Sequence, residues 1–359
     1  MGDELAQGVR IQRVTVFLLL TFALSWGFHL LVAITLGHSA YLGLGLSPLD
    51  MLFPAAVALI LRLFVFKDSP IYFRRHRGKP RWILYGFLLL TGVYAVVTLL
   101  AVSMAGQSTI LRGAGSLLLT LWTLLVLFVA GQSSREELEN AGLQIGDTDW
   151  GLRLIVGVVV FFALQAGLNL LFGLGQLQGH VGQVYGVPVP DKLHPLGLVA
   201  AFGLALTGIP LTGLAVVFGE EYGWRGFLQD ELTVMGGRRG ALLVGLVWGL
   251  WHIPVVLSGV HTYPATALGI GLGLVFFVLW GFVQSYAVLK TGSIWVAAFL
   301  HGLVNSVYGY VLQYVVRPDD VEFSFGLGVY GLGCLAVVVL FVLRDPVWGA
   351  SSSEMSGAT

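Results

Sequence analysis

The stretch WILYGFLLLTGVYAVVTLLAVSM, residues 82–104, contains no charged side chain. A helix that crosses the hydrocarbon core of a bilayer needs about 20 mostly apolar residues, so this segment is long enough to span a membrane. Continuous apolar runs favour helices over barrel strands, whose sequences alternate. The sequence therefore predicts an all-α, polytopic transmembrane helix bundle of about ten spans. The predicted spans are 14–36, 43–66, 82–104, 110–131, 152–174, 196–219, 240–258, 267–289, 293–316 and 325–343.

The composition of the 359 residues agrees with a lipid environment. Hydrophobic residues make up 57% of the chain and charged residues 11%, with a mean hydropathy of +0.86. A soluble domain carries about 25% charged residues. The formal net charge is +0, which gives no electrostatic reason to expect nucleic acid as a partner. Membrane lipid is the expected surrounding.

The basic residues predict the orientation of the chain. With an inside amino terminus and ten spans, only Arg112, Lys192 and Arg317 fall outside, and the rest of the 19 Lys and Arg residues fall inside. Short loops rich in Lys and Arg stay on the cytoplasmic side of a membrane. We therefore expect a multi-pass protein of the cell membrane with both termini in the cytoplasm.

The chain divides into four predicted regions. Residues 1–131 form a four-span amino-terminal membrane region, and 132–150 form a polar cytoplasmic linker. Within the linker, the sequence 133–136 resembles a capping box that opens a short helix. Residues 151–344 form a second helix bundle that contains the polar clusters within its spans. The small, polar residues of the 345–359 tail predict disorder.

The first polar cluster contains two adjacent glutamates. Charged groups at membrane depth are costly and usually mark function. Glu221 and Arg225 are four residues apart, so they can pair on one helix face and serve a structural or orienting role. Glu220 has no such cation nearby and is the better candidate for chemistry, since a desolvated carboxylate accepts a proton more readily. Alternatively, both glutamates lie in water among the lipid headgroups.

The other two clusters carry histidines. His252 lies in an apolar run, just before Pro254, which we expect to end or kink the helix. His301 and Asn305 are four residues apart and share a helix face. The alternative for each is a hydrogen bond between packed helices.

The predicted depths in the membrane indicate that Glu220, His252 and His301 lie in one layer. From the predicted cytoplasmic helix ends, the helix rise places Glu220 and His252 about 18 Å deep and His301 about 12 Å deep. Independent packing residues have no reason to share one layer. Small residues beside them would let the helices approach closely. These are Gly219, Gly223, Gly249 and Gly302.

A carboxylate, two imidazoles and an amide suit the activation of water, by either of two routes. Without a metal, Glu220 and His252 deprotonate a water, and His301 and Asn305 donate hydrogen bonds to an oxyanion. Alternatively, Glu220, His252 and His301 ligate a divalent, zinc-like metal that acidifies its bound water. The sequence leaves both routes open.

The ordered motifs resemble the CPBP family, which contains the type II CAAX prenyl endopeptidases and the Abi-type proteins. The resemblance covers about a third of the chain, within residues 196–312, and one position departs conservatively from the family pattern: Trp248 stands where Phe is usual. The motifs are Glu220-Glu221…Arg225, Trp248…His252 and His301…Asn305.

This resemblance implies an intramembrane endopeptidase, glutamate-dependent or metal-dependent, with a membrane-embedded or lipidated peptide or protein as substrate. It assigns water activation to Glu220 and His252 and oxyanion stabilisation to His301 and Asn305. In eukaryotic relatives the substrate is a prenylated Cys-a-a-X protein, and in many other relatives it is unknown. Two alternatives stay open: a catalytically silent immunity or scaffold protein of the same fold, and a proton-coupled transporter.

Overall fold

A computed structural model describes most of the chain. The described residues are 2–43, 48–75, 77–104, 109–178, 183–184, 187–188, 195–257, 266–320, 322–323 and 328–349. Helices account for nearly all of them, and the predicted all-α polytopic bundle is confirmed.

The amino-terminal region contains four long or medium helices. The first is kinked at Gly37, whose φ of 72° lies in the left-handed region that glycine tolerates. The second continues as a π-helical segment, Leu61–Val65. The helices are α1 (Gly2–Gly43), α2 (Leu49–Ile60), α3 (Arg81–Ser103) and α4 (Thr109–Gln132).

The predicted linker folds as a short helix, α5 (Arg135–Asn140). Its capping box lies one residue later than the sequence suggested: Ser134 accepts from the Glu137 N–H, and the Glu137 carboxylate accepts from the Ser134 N–H. The segment that follows is packed, because the Leu143 side chain is buried and its carbonyl accepts a hydrogen bond from the indole of Trp295. The linker therefore packs against the second bundle through Leu143 and Trp295.

Among its described residues, the second region contains ten further α-helices and two short strand pairs. Residues 175–177 pair antiparallel with residues 316–318, and residues 183–184 pair with residues 187–188. Two π-helical segments, Leu204–Gly208 and Tyr222–Leu228, interrupt the α-helices between residues 195 and 232. A 3-10 turn, Thr233–Met235, follows α10. The elements are α6 (Thr148–Leu171), β1 (Gly175–Leu177), β2 (Gln183–Val184), β3 (Val187–Pro188), α7 (Pro195–Gly203), α8 (Ile209–Thr212), α9 (Leu214–Glu221), α10 (Gln229–Leu232), α11 (Gly237–Trp251), α12 (Ile253–Leu257), α13 (Ala267–Thr291), α14 (Ile294–Tyr314), β4 (Val316–Pro318) and α15 (Val329–Val342).

Eight helical stretches among the described residues are long and apolar enough to cross a membrane. The count falls below ten because two predicted spans are shorter. The run 43–66 becomes α2 and its π-helical continuation, and the run 325–343 becomes the 14 residues of α15. The orientation of the termini stays a prediction. The eight stretches are Gln7–Gly37, Arg81–Ser103, Gly113–Gln132, Thr148–Leu171, Pro195–Thr212, Gly237–Leu257, Ala267–Thr291 and Ile294–Tyr314.

One hydrophobic core includes residues of both predicted membrane regions. Phe17 of α1 meets Trp224 edge to face, with ring centroids 5.8 Å apart, and both side chains are fully buried. Phe87 of α3 packs in the same way on Phe218 of α9, at 5.2 Å. The amino-terminal helices therefore belong to the packing that supports the polar clusters.

The predicted disorder of the 345–359 tail is wrong for its first residues. Pro346–Gly349 form a 3-10 turn, and Trp348 is buried against the rings of Phe282 and Tyr286. Asp345 binds Lys290 at 2.9 Å. A buried aromatic ring and an ion pair order this segment, whose Val347 and Trp348 are apolar, unlike the small and polar residues that follow them. Residues 350–359 lie outside the described residues.

Candidate active site

The two adjacent glutamates end helix α9, where the chain passes into the π-helical segment Tyr222–Leu228. Both side chains are 0% exposed. The alternative that they lie in water among headgroups is therefore wrong. Irregular π turns inside helices are frequent at functional sites, because they change the direction in which side chains point.

Two glycines allow helix α2 to lie directly against the glutamate helix. A Cβ atom at Gly219 would overlap the carbonyl oxygen of Met51, and one at Gly223 would overlap Pro54. Gly249 and Gly302 are similarly tight, against Leu274 and Pro210. The predicted close approach at all four glycines is confirmed.

A cavity of about 280 Å³ lies between these helices. Glu220, His252, His301 and Asn305 all line it, so the residues that the sequence singled out do converge. Asn305 is exposed, whereas His301 is 6% exposed. The volume suits several water molecules or a short piece of peptide. The remaining lining residues are Asp50, Met51, Trp248, Trp251, Val255, Phe276, Phe277, Trp280, Val304 and Tyr308.

Glu220 is held by one of its two oxygens. The indole N–H of Trp248 donates to Oε2 over 2.6 Å, a short distance typical of a charge-assisted hydrogen bond. Oε1 is buried and has no hydrogen-bond partner among the residues that the structure describes. A buried acceptor without a partner is costly unless water or a ligand meets it. Oε1 is therefore the atom on which a water would bind.

His252 ends helix α11, and the turn before Pro254 separates it from α12, as predicted. Its Nδ1–H donates to the carbonyl oxygen of Trp248 at 2.9 Å. Because a carbonyl can only accept, Nδ1 carries the proton, and Nε2 is the basic atom of the neutral ring. The ring stacks on Phe277, with centroids 3.9 Å apart. The hydrogen bond and the stacking together fix the orientation of the ring at the cavity.

Glu221 is the centre of a buried polar network. The predicted pair with Arg225 forms, with Nη1 3.0 Å from Oε2. The same carboxylate also accepts from the Nδ1–H of His301 at 2.8 Å and from the amide of Gln284 at 3.3 Å. A carboxylate bonded to Nδ1 fixes the ring and stabilises its protonated form. Glu221 thus orients His301 as well as pairing with Arg225.

The fit of a metal can be tested on the donor set. Glu220, His252 and His301 line one cavity, but among the described residues no three His, Cys, Asp or Glu side chains are arranged to hold a metal ion. His301 uses Nδ1 for Glu221 and His252 uses Nδ1 for a carbonyl, so a metal would have to bind Nε2 of each ring. The described side chains therefore show no preformed cluster of three such ligands, and metal dependence stays a prediction.

Sequence reasoning missed two contributors to this site. Gln284 of α13 is 0% exposed and donates to both Glu221 and the carbonyl of Ala297. The sequence feature that could have identified Gln284 is a single amide side chain within an apolar run. Asp50 of α2 lines the cavity from the amino-terminal region. Its signal was a carboxylate at the start of a predicted span, which reads equally well as a residue at the membrane surface.

The comparison with family models matches this part of the chain to "Type II CAAX prenyl endopeptidase Rce1-like" over residues 201–307. This segment is Rce1-like. The resemblance to the CPBP family is therefore confirmed, and the matched residues include all three motifs. The family is one of membrane peptidases, which supports a peptidase at the level of the family. Together with the eight apolar helices, the Rce1-like segment marks an integral, multi-pass membrane protein. No curated protein matches the chain.

Proposed function

We propose that this chain is an intramembrane endopeptidase of the CPBP type, which hydrolyses a peptide bond with water activated by Glu220 and His252. One observation carries the proposal. Glu220 Oε1 is a buried acceptor without a described partner, in a cavity that two histidines and an amide also line. Such a site fits a water and a carbonyl group better than it fits packing alone.

In the proposed reaction, a water lies between Glu220 Oε1 and His252 Nε2. These groups take one proton as the water oxygen attacks the carbonyl carbon of the substrate. The proton then passes to the leaving amine nitrogen as the C–N bond breaks, so the products are a carboxylic acid and an amine. Trp248 holds the other glutamate oxygen and keeps Oε1 directed to the water.

His301 and Asn305 are proposed to stabilise the oxyanion of the tetrahedral intermediate. Protonated His301 donates from Nε2, because Nδ1 is already bonded to Glu221. Asn305 donates from its amide. The network of Glu221, Arg225 and Gln284 supports His301 from behind and does not need to touch the substrate.

The substrate class follows from the resemblance and the surroundings. Aromatic and aliphatic side chains form most of the cavity wall, which suits an apolar or lipidated peptide. A prenylated Cys-a-a-X peptide is the first probe, and a membrane-embedded peptide without a lipid is the second. We place the site on the cytoplasmic half of the membrane, as the positive-inside pattern predicts.

The test compares Glu220→Gln with Glu231→Gln in purified protein reconstituted in lipid. Glu231 is 6% exposed, lies on α10 and does not line the cavity, so it is a matched buried carboxylate. We expect Glu220→Gln to lower cleavage of the probe peptides at least about 100-fold, the usual contribution of a general base. Glu231→Gln should retain most activity. Equal cleavage by wild type and Glu220→Gln would overturn the proposal, and no cleavage by either would favour a silent scaffold.

A further inference from the structure

The cavity contains a second carboxylate, which comes from outside the Rce1-like segment. Among the described residues that line the cavity, Asp50 and Glu220 are the two acidic ones. Asp50 is the second residue of α2 and is 2% exposed. An acidic group buried this deeply at a reaction cavity requires an account of its own.

Asp50 is fixed by two hydrogen bonds on its own side of the cavity. His29 of α1 donates from Nε2 to Oδ2 at 3.1 Å, and the N–H of Met51 donates to Oδ1 at 2.9 Å. The positive end of the α2 dipole also favours a negative charge there. Each carboxylate oxygen can accept more than one hydrogen bond, so both oxygens keep acceptor capacity for another group.

The packing also fixes the position of Asp50 relative to Glu220. Helix α2 lies against both glycines: backbone atoms of Met51 and Leu52 meet Gly219, and the ring and backbone of Pro54 meet Gly223. The two carboxylates therefore belong to two helices in backbone contact, and neither helix can move far without the other.

The chemistry of the wall indicates what Asp50 would bind. A peptide segment brings both C=O acceptors and N–H donors into the cavity. His301 and Asn305 can donate to the C=O groups, whereas Glu220 is engaged with water in the proposed reaction. Among the described aromatic residues of the wall, the Tyr308 hydroxyl is a neutral acceptor, weaker than a carboxylate. Asp50 is a carboxylate at the cavity, and its hydrogen bond with His29 fixes its position there.

We propose that Asp50, held by His29, is a substrate-binding residue whose carboxylate accepts a hydrogen bond from an N–H group of the substrate beside the scissile bond. This inference rests on the proposed function. The donor is either a main-chain N–H or a protonated amine on a substrate side chain, since both present the same N–H chemistry.

The experiment measures binding and cleavage separately. Binding of a fluorescent, farnesylated Cys-a-a-X peptide with Lys at X is measured in lipid nanodiscs with Glu220→Gln protein, alone and combined with Asp50→Asn. Two further peptides remove one donor each. One is N-methylated at the amide beyond the scissile bond, and the other carries norleucine in place of Lys. Wild type and Asp50→Asn are assayed for cleavage of the same three peptides.

We expect Asp50→Asn to weaken binding of the parent peptide about 10-fold to 100-fold, as loss of a hydrogen bond to a charged group does. The peptide that lacks the relevant donor should bind both proteins equally, which identifies the donor as main chain or side chain. His29→Asn keeps the carboxylate and should have a smaller effect of the same kind. A merely structural role would lower thermal stability in both variants without any dependence on the peptide donor, and that result would overturn the inference.

The outcomes separate the two proposals. If wild type cleaves, Glu220→Gln does not, and Asp50→Asn has no donor-dependent effect, the inference about Asp50 fails alone. If wild type cleaves none of the peptides but binding depends on Asp50 and one donor, the proposed reaction fails and the binding residue stands.

Discussion

The indole N–H of Trp248 donates a hydrogen bond to Glu220 Oε2 over 2.6 Å. Phe, the usual residue of the family at this position, has no such donor. The substitution that looked conservative in the sequence therefore adds a hydrogen bond that a phenylalanine ring could not make. The guanidinium carbon of Arg225 lies 4.2 Å from the centroid of the same ring, so Trp248 contacts two of the three charged residues of the first motif, Glu220 and Arg225.

We predict that Trp248→Phe lowers kcat/KM about 10-fold to 100-fold, since it removes a hydrogen bond to a charged group and keeps an aromatic ring. Trp348→Phe is the matched control. Trp348 is also buried and also donates from its indole, to the carbonyl of Val342, but it lies outside the cavity. Steady-state cleavage and thermal unfolding of both variants provide the check. An unchanged kcat/KM in Trp248→Phe would show that the bond does not position Glu220.

The buried pair of Glu221 and Arg225 makes a second prediction. Glu221→Gln leaves a buried guanidinium without its counter-charge and should reduce stability by about 3–5 kcal/mol. Adding Arg225→Met removes the unpaired charge and should restore much of that stability. Activity should stay low in the double variant, because His301 still lacks its carboxylate partner. Unfolding in detergent and cleavage in lipid measure the two effects. Recovery of activity together with stability would contradict an orienting role for Glu221.

A third prediction concerns the contact between α2 and the glutamate helix. Gly223→Ala forces a methyl group against Pro54 and should reduce stability by about 1–3 kcal/mol, as overpacking does. Gly157→Ala in α6 is the control, since nothing lies within 4 Å of a Cβ there. This control should be neutral or slightly stabilising. Thermal unfolding of the two variants compares them directly, and an equal response would show that α2 yields to the added methyl group.

The donor geometry gives a fourth prediction, on metal dependence. We expect cleavage to survive prolonged treatment with EDTA and with 1,10-phenanthroline, and elemental analysis to find less than one ion per active chain. The reason is that no three suitable side chains among the described residues are arranged around one point. Loss of activity on chelation, restored by added zinc, would instead require the histidines to rearrange.

The sequence was sufficient to predict the fold class and the convergence of four polar residues. Hydropathy fixes which segments can span a membrane, and helix rise sorts Glu220, His252 and His301 into one layer. All three, with Asn305, line the cavity. The spacing of Glu221 and Arg225 likewise predicted their ion pair. Hydropathy, helix rise and residue spacing depend on residues within one helix, so a single sequence is enough to apply them.

The contacts between distant segments could not be predicted in the same way. The spacing of Glu221 and Arg225 did not predict that Glu221 also binds His301, or that Glu220 binds Trp248. Asp50 and His29 became part of the cavity only through packing of the amino-terminal helices. No periodicity in a single sequence specifies which helix lies against which.

The glycine contacts at Gly219 and Gly223 have a consequence for protein engineering. The segment that carries the three motifs cannot be moved into another protein on its own, because Gly219 and Gly223 pack directly against Met51 and Pro54 of α2. A fragment limited to residues 196–312 would lack one wall of its own cavity. Chimeras between relatives should therefore exchange α2 and α9 as one unit.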